Sequence, residues 1–323
     1  MATLGSAAQY LSRDALAMWL LETDPWRNEL AAVFPYMPID GPALKVARQT
    51  KVAIGSLAQP LDYNAAIADS TMAPSANVTF TPGVVASRYR IAYSALGRFD
   101  ANQDLDAVEA ALAVRNCMNG FFYLILADAA GGTGSPPTLV SLCTGTSQMN
   151  DFNGAALALA DYDTYYFKVS AGRCNAIVSN SAQVIRYLTL MRAAGLTPEF
   201  IECVKEDPIL GPVRVKQLCL YGTPWYICDL IQARTVNSQT VSNIYMMVLG
   251  ANNKDPQGPF GVTGIIPKQN VQPDTMFMRR ESNIVYEGAS GASELNVDYI
   301  FTAGVALGQE MALSIMRNAR EGA

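Results

Sequence analysis

The sequence contains no histidine in 323 residues. That removes the most frequent general base, the most frequent zinc ligand and the one side chain that ordinarily titrates near neutral pH. Serine and cysteine triads that depend on an imidazole are excluded. Charge is scarce as well, at 16% of residues, against roughly 25% in globular domains. So neutral a surface is suited to being covered by partners. The balance is acidic, at −5, which argues against a dedicated reader of duplex DNA with its concentrated basic face. Weak contact through a local patch stays open. No apolar run approaches the roughly 18 residues of a membrane-spanning helix; the longest covers 121–127. The first ten residues lack a basic segment followed by an apolar one, so a soluble protein without a secretory signal is expected.

The six cysteines, Cys117, Cys143, Cys174, Cys203, Cys219 and Cys228, include no C-x-x-C pair. A zinc ribbon or thioredoxin-type site is therefore not expected. Several have apolar neighbours, which points to reduced, buried thiols that pack as small hydrophobes, as suits a reducing cytoplasm.

Half of the residues are hydrophobic, enough for a sizeable core. The length suits two lobes, or one domain with excursions. Residues 1–40 read as an arm. Ser12 is placed to cap a short helix carrying Ala15, Met18, Trp19 and Leu20, and Asp24-Pro25 to start another. The stretch 34–38 favours an extended path. An arm with Trp19 and Trp26 on it needs a surface to lie on.

Residues 41–98 hold two strand-like segments, 44–54 and 78–93, around a small, polar tip. Basic residues interleave with apolar ones: Lys45, Arg48, Lys51, Arg88, Arg90 and Arg98 among Val78, Phe80 and Tyr89. A lone two-stranded hairpin is marginal in water, so this excursion is expected to pack on a neighbouring subunit. Its cations would either shield an exposed edge or pair with acids of that neighbour.

The clearest helix spans 104–128, with Asn102 or Asp104 as cap and Leu105, Val108, Leu112, Met118, Phe122 and Ile125 at helical spacing. Gly120 is a weak point inside it. Further along, the pattern predicts a short helix over 149–160, a buried strand over 175–178 and a helix capped by Ser181 that ends at Gly195. A strand–turn–strand follows over 213–231, turning at Tyr221-Gly222-Thr223-Pro224, then a strand over 243–249 and a loop over 251–274. Strands over 275–286 and 295–302 and a helix over 306–320 complete the chain.

No motif nominates a catalytic, cofactor-binding or metal-ligating residue. The 131–135 segment, Gly-Gly-Thr-Gly-Ser, trails a helix and lacks the lysine of a phosphate loop. The glycine-rich 288–293 segment reads as a turn. Asp104, Asp106 and Glu109 are placed to load a helix start. Asp161 and Asp163 have no partner group and read as solvated.

The order of these elements resembles the Hong Kong 97-type major capsid protein of tailed bacteriophages, over nearly the whole chain. The local echoes are Ala176-Ile-Val-Ser-Asn-Ser181 running into its helix, and Leu220-Tyr-Gly-Thr-Pro-Trp225. The resemblance implies an α+β capsid fold. Its parts would be an N-terminal arm (1–40), an E-loop (41–98), a peripheral or P domain (99–173) with its spine helix at 104–128, an axial or A domain (174–282) and a return to the P domain (283–323). It implies a structural protein without catalytic function or cofactor. Copies would assemble in the host cytoplasm into hexamers and pentamers of an icosahedral virion shell around double-stranded DNA. An encapsulin-type nanocompartment enclosing a cargo enzyme is the alternative within the same fold. The sequence shows no long N-terminal helical extension that would act as a built-in scaffold, so a separate scaffolding protein is expected, with a fused scaffold removed before residue 1 as the alternative. A portal and a possible decoration protein are further partners, contact with packaged DNA is weak, and no membrane is involved. Intersubunit contacts are expected at Trp19, Trp26, Lys45, Arg48, Lys51, Phe80, Arg88, Tyr89, Arg90 and Arg98.

Overall fold

The computed structural model describes residues 27–47, 77–92, 105–129, 131–144, 146–169, 174–207, 211–250, 261–268, 277–285 and 293–322. The expected first helix of the arm, the start of the second at Asp24-Pro25, the caps Asn102 and Asp104, and the tip of the excursion lie outside them; the described part of the arm holds one 3-10 turn, Glu29–Ala32, capped by Asn28.

Two sheets organise the chain. The first has five strands: β1 (Tyr36–Ile39), β12 (Val262–Pro267), β14 (Ser293–Leu307) and β13 (Met278–Val285) in that order, with β4 (Gly83–Ala92) also paired to β14. The helix α1 (Leu105–Ile125) packs on β4 and β14. Its buried residues Ala113, Cys117, Phe121 and Ile125 recur every four positions, the spacing that lines one helix face. An aromatic cluster fills the gap beneath: Phe121 lies 5.4 Å from Phe301 and Phe122 lies 5.3 Å from Phe34, both edge to face. At Gly120 an added Cβ would sit 3.1 Å from Val85 Cγ1, so the residue that weakens the helix also lets it approach β4.

The second sheet has eight strands. Its order is β5 (Met149–Asp151), β15 (Leu313–Arg320), β11 (Gln239–Met247), β6 (Ala176–Ser179), β9 (Thr223–Ile227), β8 (Gly211–Leu220) and β7 (Glu199–Asp207), with β10 (Arg234–Val236) paired to β11. Three helices accompany it: α2 (Leu139–Cys143), α3 (Leu159–Lys168) and α4 (Ser181–Ala193). Trp225 is buried at its centre, its ring 5.0 Å from Tyr187 and 6.0 Å from Tyr162. A separate two-stranded pair joins β2 (Leu44–Ala47) to β3 (Asn77–Phe80).

Local chemistry explains several boundaries. The strand β6 passes through Asn180 into α4, and the Asn180 side chain accepts the Gln183 N–H at 3.1 Å, so Asn180 and not Ser181 is the cap. Tyr221 and Gly222, at φ +52° and +74°, form a two-residue hairpin turn of the type that needs positive φ at both positions. Thr223 and Pro224 already belong to β9.

Other expectations are corrected. The 78–93 segment is two strands, because Thr81-Pro82 interrupts it and Pro82 has no N–H for a ladder. The 149–160 helix is absent: β5 occupies 149–151, Asn153 and Gly154 take φ +52° and +85°, and α3 starts at Leu159. The loop expected at 251–274 contains β12, whose six residues are all buried between β1 and β14. The 306–320 helix is replaced by the end of β14 and by β15, which lies between β11 and β5. Residues 293–307 of the expected 283–323 segment lie in the first sheet and 313–320 in the second.

Candidate assembly surfaces

The excursion is anchored in its own chain. The strand β4 pairs with β14 through ten register positions, from Gly83 opposite Ala303 to Ala92 opposite Glu294. Phe80 is 1% exposed, and Tyr89 is buried with its ring stacked 6.2 Å from Tyr299. Both therefore pack in the chain's own core. Arg88 faces Asp298 across the ladder and closes a forked ion pair with it. Hydrogen bonding to Arg88 holds the Asp298 carboxyl below its ordinary range. Arg88 thus has an acidic partner 210 residues along the same chain. Arg90, opposite Asn296, is exposed, as is Lys45 of β2, opposite Thr79 of β3. Trp19, Trp26, Arg48, Lys51 and Arg98 lie outside the described residues.

The end of the arm is anchored too. Glu29 Oε2 accepts the Ile227 N–H at 2.9 Å, and the Arg27 carbonyl accepts the Asp229 N–H at 2.8 Å. Residues 36–39 then enter the first sheet beside β12. Leu30, Phe34, Met37 and Ile39 are buried on the way. This stretch crosses from one sheet to the other and closes over α1, where Asn28 donates to Asn119 at 3.2 Å.

A polar cluster joins the end of α1 to the second sheet. Asp128 accepts two hydrogen bonds of 2.7 Å from Arg317 and one of 2.9 Å from Arg234. Arg234 also donates to Asn243 at 2.7 Å and to Asn318 at 2.8 Å, while Asn318 donates to Asp151 at 2.7 Å. Burial by itself raises the Asp128 carboxyl, but the hydrogen bond from Arg317 and the charges of both arginines outweigh it, leaving the group below its ordinary value. Each charge is met by an opposite one, so the cluster is structural in its chemistry. No group of three or more His, Cys, Asp or Glu residues placed to hold a metal occurs among the described residues. No helix among them is long and apolar enough to cross a membrane.

What remains open to solvent is apolar surface that sequence reading did not single out: Phe167 is 67% exposed, Ile185 64%, Val84 57% and Phe200 53%. Phe167 touches Tyr221, ring to ring at 5.3 Å, at the β8–β9 turn. Single apolar residues carry no signal of exposure in a sequence; only the fold shows which ones its own core leaves out.

No protein-family model matches the chain, and no curated protein matches it. Solved structures do. A chain of the holo-SrpI encapsulin complex from Synechococcus elongatus PCC 7942 matches with a TM-score of 0.64 and 13% identity, over 91% of this chain and 88% of that one. A chain from the capsid of a native GTA particle gives 0.54 and 13%, over 90% of each. One from Microbacterium phage Oxtober96 gives 0.53 and 10%, over 91% and 92%. At such identities the likeness is one of fold. The chain has the α+β Hong Kong 97-type capsid fold, as its element order implied.

Proposed function

We propose that this chain is a structural shell protein, the major capsid protein of a tailed bacteriophage. Its copies assemble in the host cytoplasm as hexamers and pentamers of an icosahedral virion capsid around double-stranded DNA. The observation that carries the reading is the extent of the fold: capsid structures align with 90% or more of this chain. The sheet that packs on α1 takes the part of the P domain. The eight-stranded sheet, including β15, takes the part of the A domain. Residues 41–98 take the part of the E-loop, with β4 as its anchored limb and Lys45, Arg48, Lys51 and Arg90 available to an adjoining subunit. Residues before 27, with Trp19 and Trp26, reach beneath another copy. Many moderate contacts repeated by symmetry make such a shell stable even where each is weak. A separate scaffolding protein, a portal and a decoration protein are the partners this reading brings with it.

A second reading, an encapsulin-type nanocompartment enclosing a cargo enzyme, is favoured by the higher TM-score of the encapsulin chain. Negative-stain microscopy of the purified protein tests both. Closed polyhedral particles are expected, and a stable monomer at all concentrations defeats both readings. Nuclease-protected DNA inside particles from the native source supports the capsid; a co-purifying enzyme in place of DNA supports the nanocompartment.

A further inference from the structure

The second sheet ends in a ribbon with two open edges. The strand β7 is outermost in the strand order, and β8 meets β9 only at Cys219–Pro224 and Leu220–Thr223. Elsewhere β7 and β8 pair with each other through nine register positions, and no third strand joins them among the described residues. Open edges of this length are templates for another chain unless charge protects them.

Here the charges are sorted by strand. β7 carries Glu199, Glu202, Glu206 and Asp207 against the single Lys205, whereas β8 carries Arg214 and Lys216 and no acid. Glu202, Arg214 and Lys216 are exposed. Glu202 stands directly opposite Lys216 in register, yet the two close no ion pair. Phe200 and Val215, 53% and 37% exposed, add apolar area to the same ribbon. Protective edge charge needs no such sorting. An unrelated acidic or basic partner would match one edge and be repelled by the other; a second copy of this chain matches both.

We propose that the β7–β8 ribbon is a head-to-tail contact between copies, with the acidic β7 edge of one chain against the basic β8 edge of the next. Cross-strand pairs of Glu202 with Arg214 and Lys216 of the following copy set its register. A contact of this kind, repeated, closes a ring. The proposal rests on the shell reading and gives that shell one of its joints.

The test uses the full chain and two variants, Glu202→Lys and the double change Arg214→Glu with Lys216→Glu. The first sets a lysine against Arg214 and Lys216 of the next copy, and the second makes both edges acidic, so each variant repels itself at this contact. Native mass spectrometry and sedimentation at low salt are expected to show each variant alone losing on the order of tenfold of its assembled mass. Mixed in equal amounts, they should recover it in oligomers that contain both, since every junction between unlike copies is complementary. Where a reversal fails to fold, Glu202→Gln and Lys216→Gln carry the test, with a smaller loss expected. Variants that assemble alone like the wild type overturn the ribbon contact and leave the shell reading standing. Folded variants that do not recover on mixing also overturn it. A wild-type chain that never self-associates overturns the shell reading, and this contact with it.

Discussion

Asp128, just past the end of α1, and Arg317, in β15, meet through two parallel hydrogen bonds of 2.7 Å. This forked pairing is the strongest geometry available to a carboxylate and a guanidinium. It joins the helix of the five-stranded sheet to β15 of the eight-stranded one, and Arg234 braces the same carboxylate from β10.

Arg317→Ala is expected to lower stability by about 2 kcal/mol, because it leaves a partly buried carboxylate with one cation in place of two. Arg317→Lys keeps the charge but loses the fork, and should cost about half as much. The Asp128 carboxyl sits below its ordinary value of 3.8 when folded. Its contribution is therefore complete above that value and lost as pH falls through the lower, folded one. Denaturant unfolding of wild type and Asp128→Asn across an acid series checks this. Only the wild type should lose this contribution at the acid end, and identical slopes would contradict the assignment.

Gly264, in β12, lies under the Tyr36 ring, where an added Cβ would stand 2.4 Å from the nearest ring carbon. The ring is confined by Phe34, Phe121 and Phe301. Gly264→Ala should cost about 1–3 kcal/mol by overpacking. The buried Tyr36 hydroxyl has no hydrogen-bond partner among the described residues, so Tyr36→Phe should be neutral or slightly stabilising. Thermal unfolding of the two variants should move in different directions or leave only the alanine shifted.

Trp225 donates from its indole N–H to Ser179 Oγ at 2.8 Å while packed against Tyr162 and Tyr187. Trp225→Ala should destabilise by about 3–5 kcal/mol. Trp225→Phe keeps most of the packing and loses the hydrogen bond, at about 1–2 kcal/mol. Urea titrations followed by circular dichroism measure both.

The six cysteines are free, and all but Cys203 are buried. Burial pushes the Cys228 thiol up to about 12 and Cys117 and Cys174 up to about 11, which keeps them unreactive at neutral pH. Mild alkylation of the folded protein, read by peptide mass spectrometry, should label Cys203 first and the other five only on unfolding. Early labelling of Cys228 would speak against this packing.

Deleting residues 56–75 should leave a soluble chain that does not form normal particles, because the cut removes the tip of the proposed E-loop and spares β4. Electron microscopy and sedimentation decide it; particles like those of the wild type would remove the excursion from the assembly contacts.

The sequence by itself determined the features that local chemistry controls. The absence of histidine rules out imidazole chemistry. The helical spacing of Leu105, Val108, Leu112, Met118, Phe122 and Ile125 marks α1, and Tyr221-Gly222 marks a turn, while the start of α4 falls one residue before the expected Ser181, at Asn180. Each is specified within a turn or two of the backbone. Tertiary structure alone decided that 306–320 is strand and not helix, that β12 is a buried strand among glycine and proline, that Phe80 and Tyr89 belong to the chain's own core, and that the partner of Arg88 is Asp298. A strand is selected by the partner it lies beside, and here that partner stands far away in sequence: β4 finds β14, and β15 finds both β11 and β5. The sequence holds those pairings only as complementary surfaces, and they become legible once the two sheets have formed.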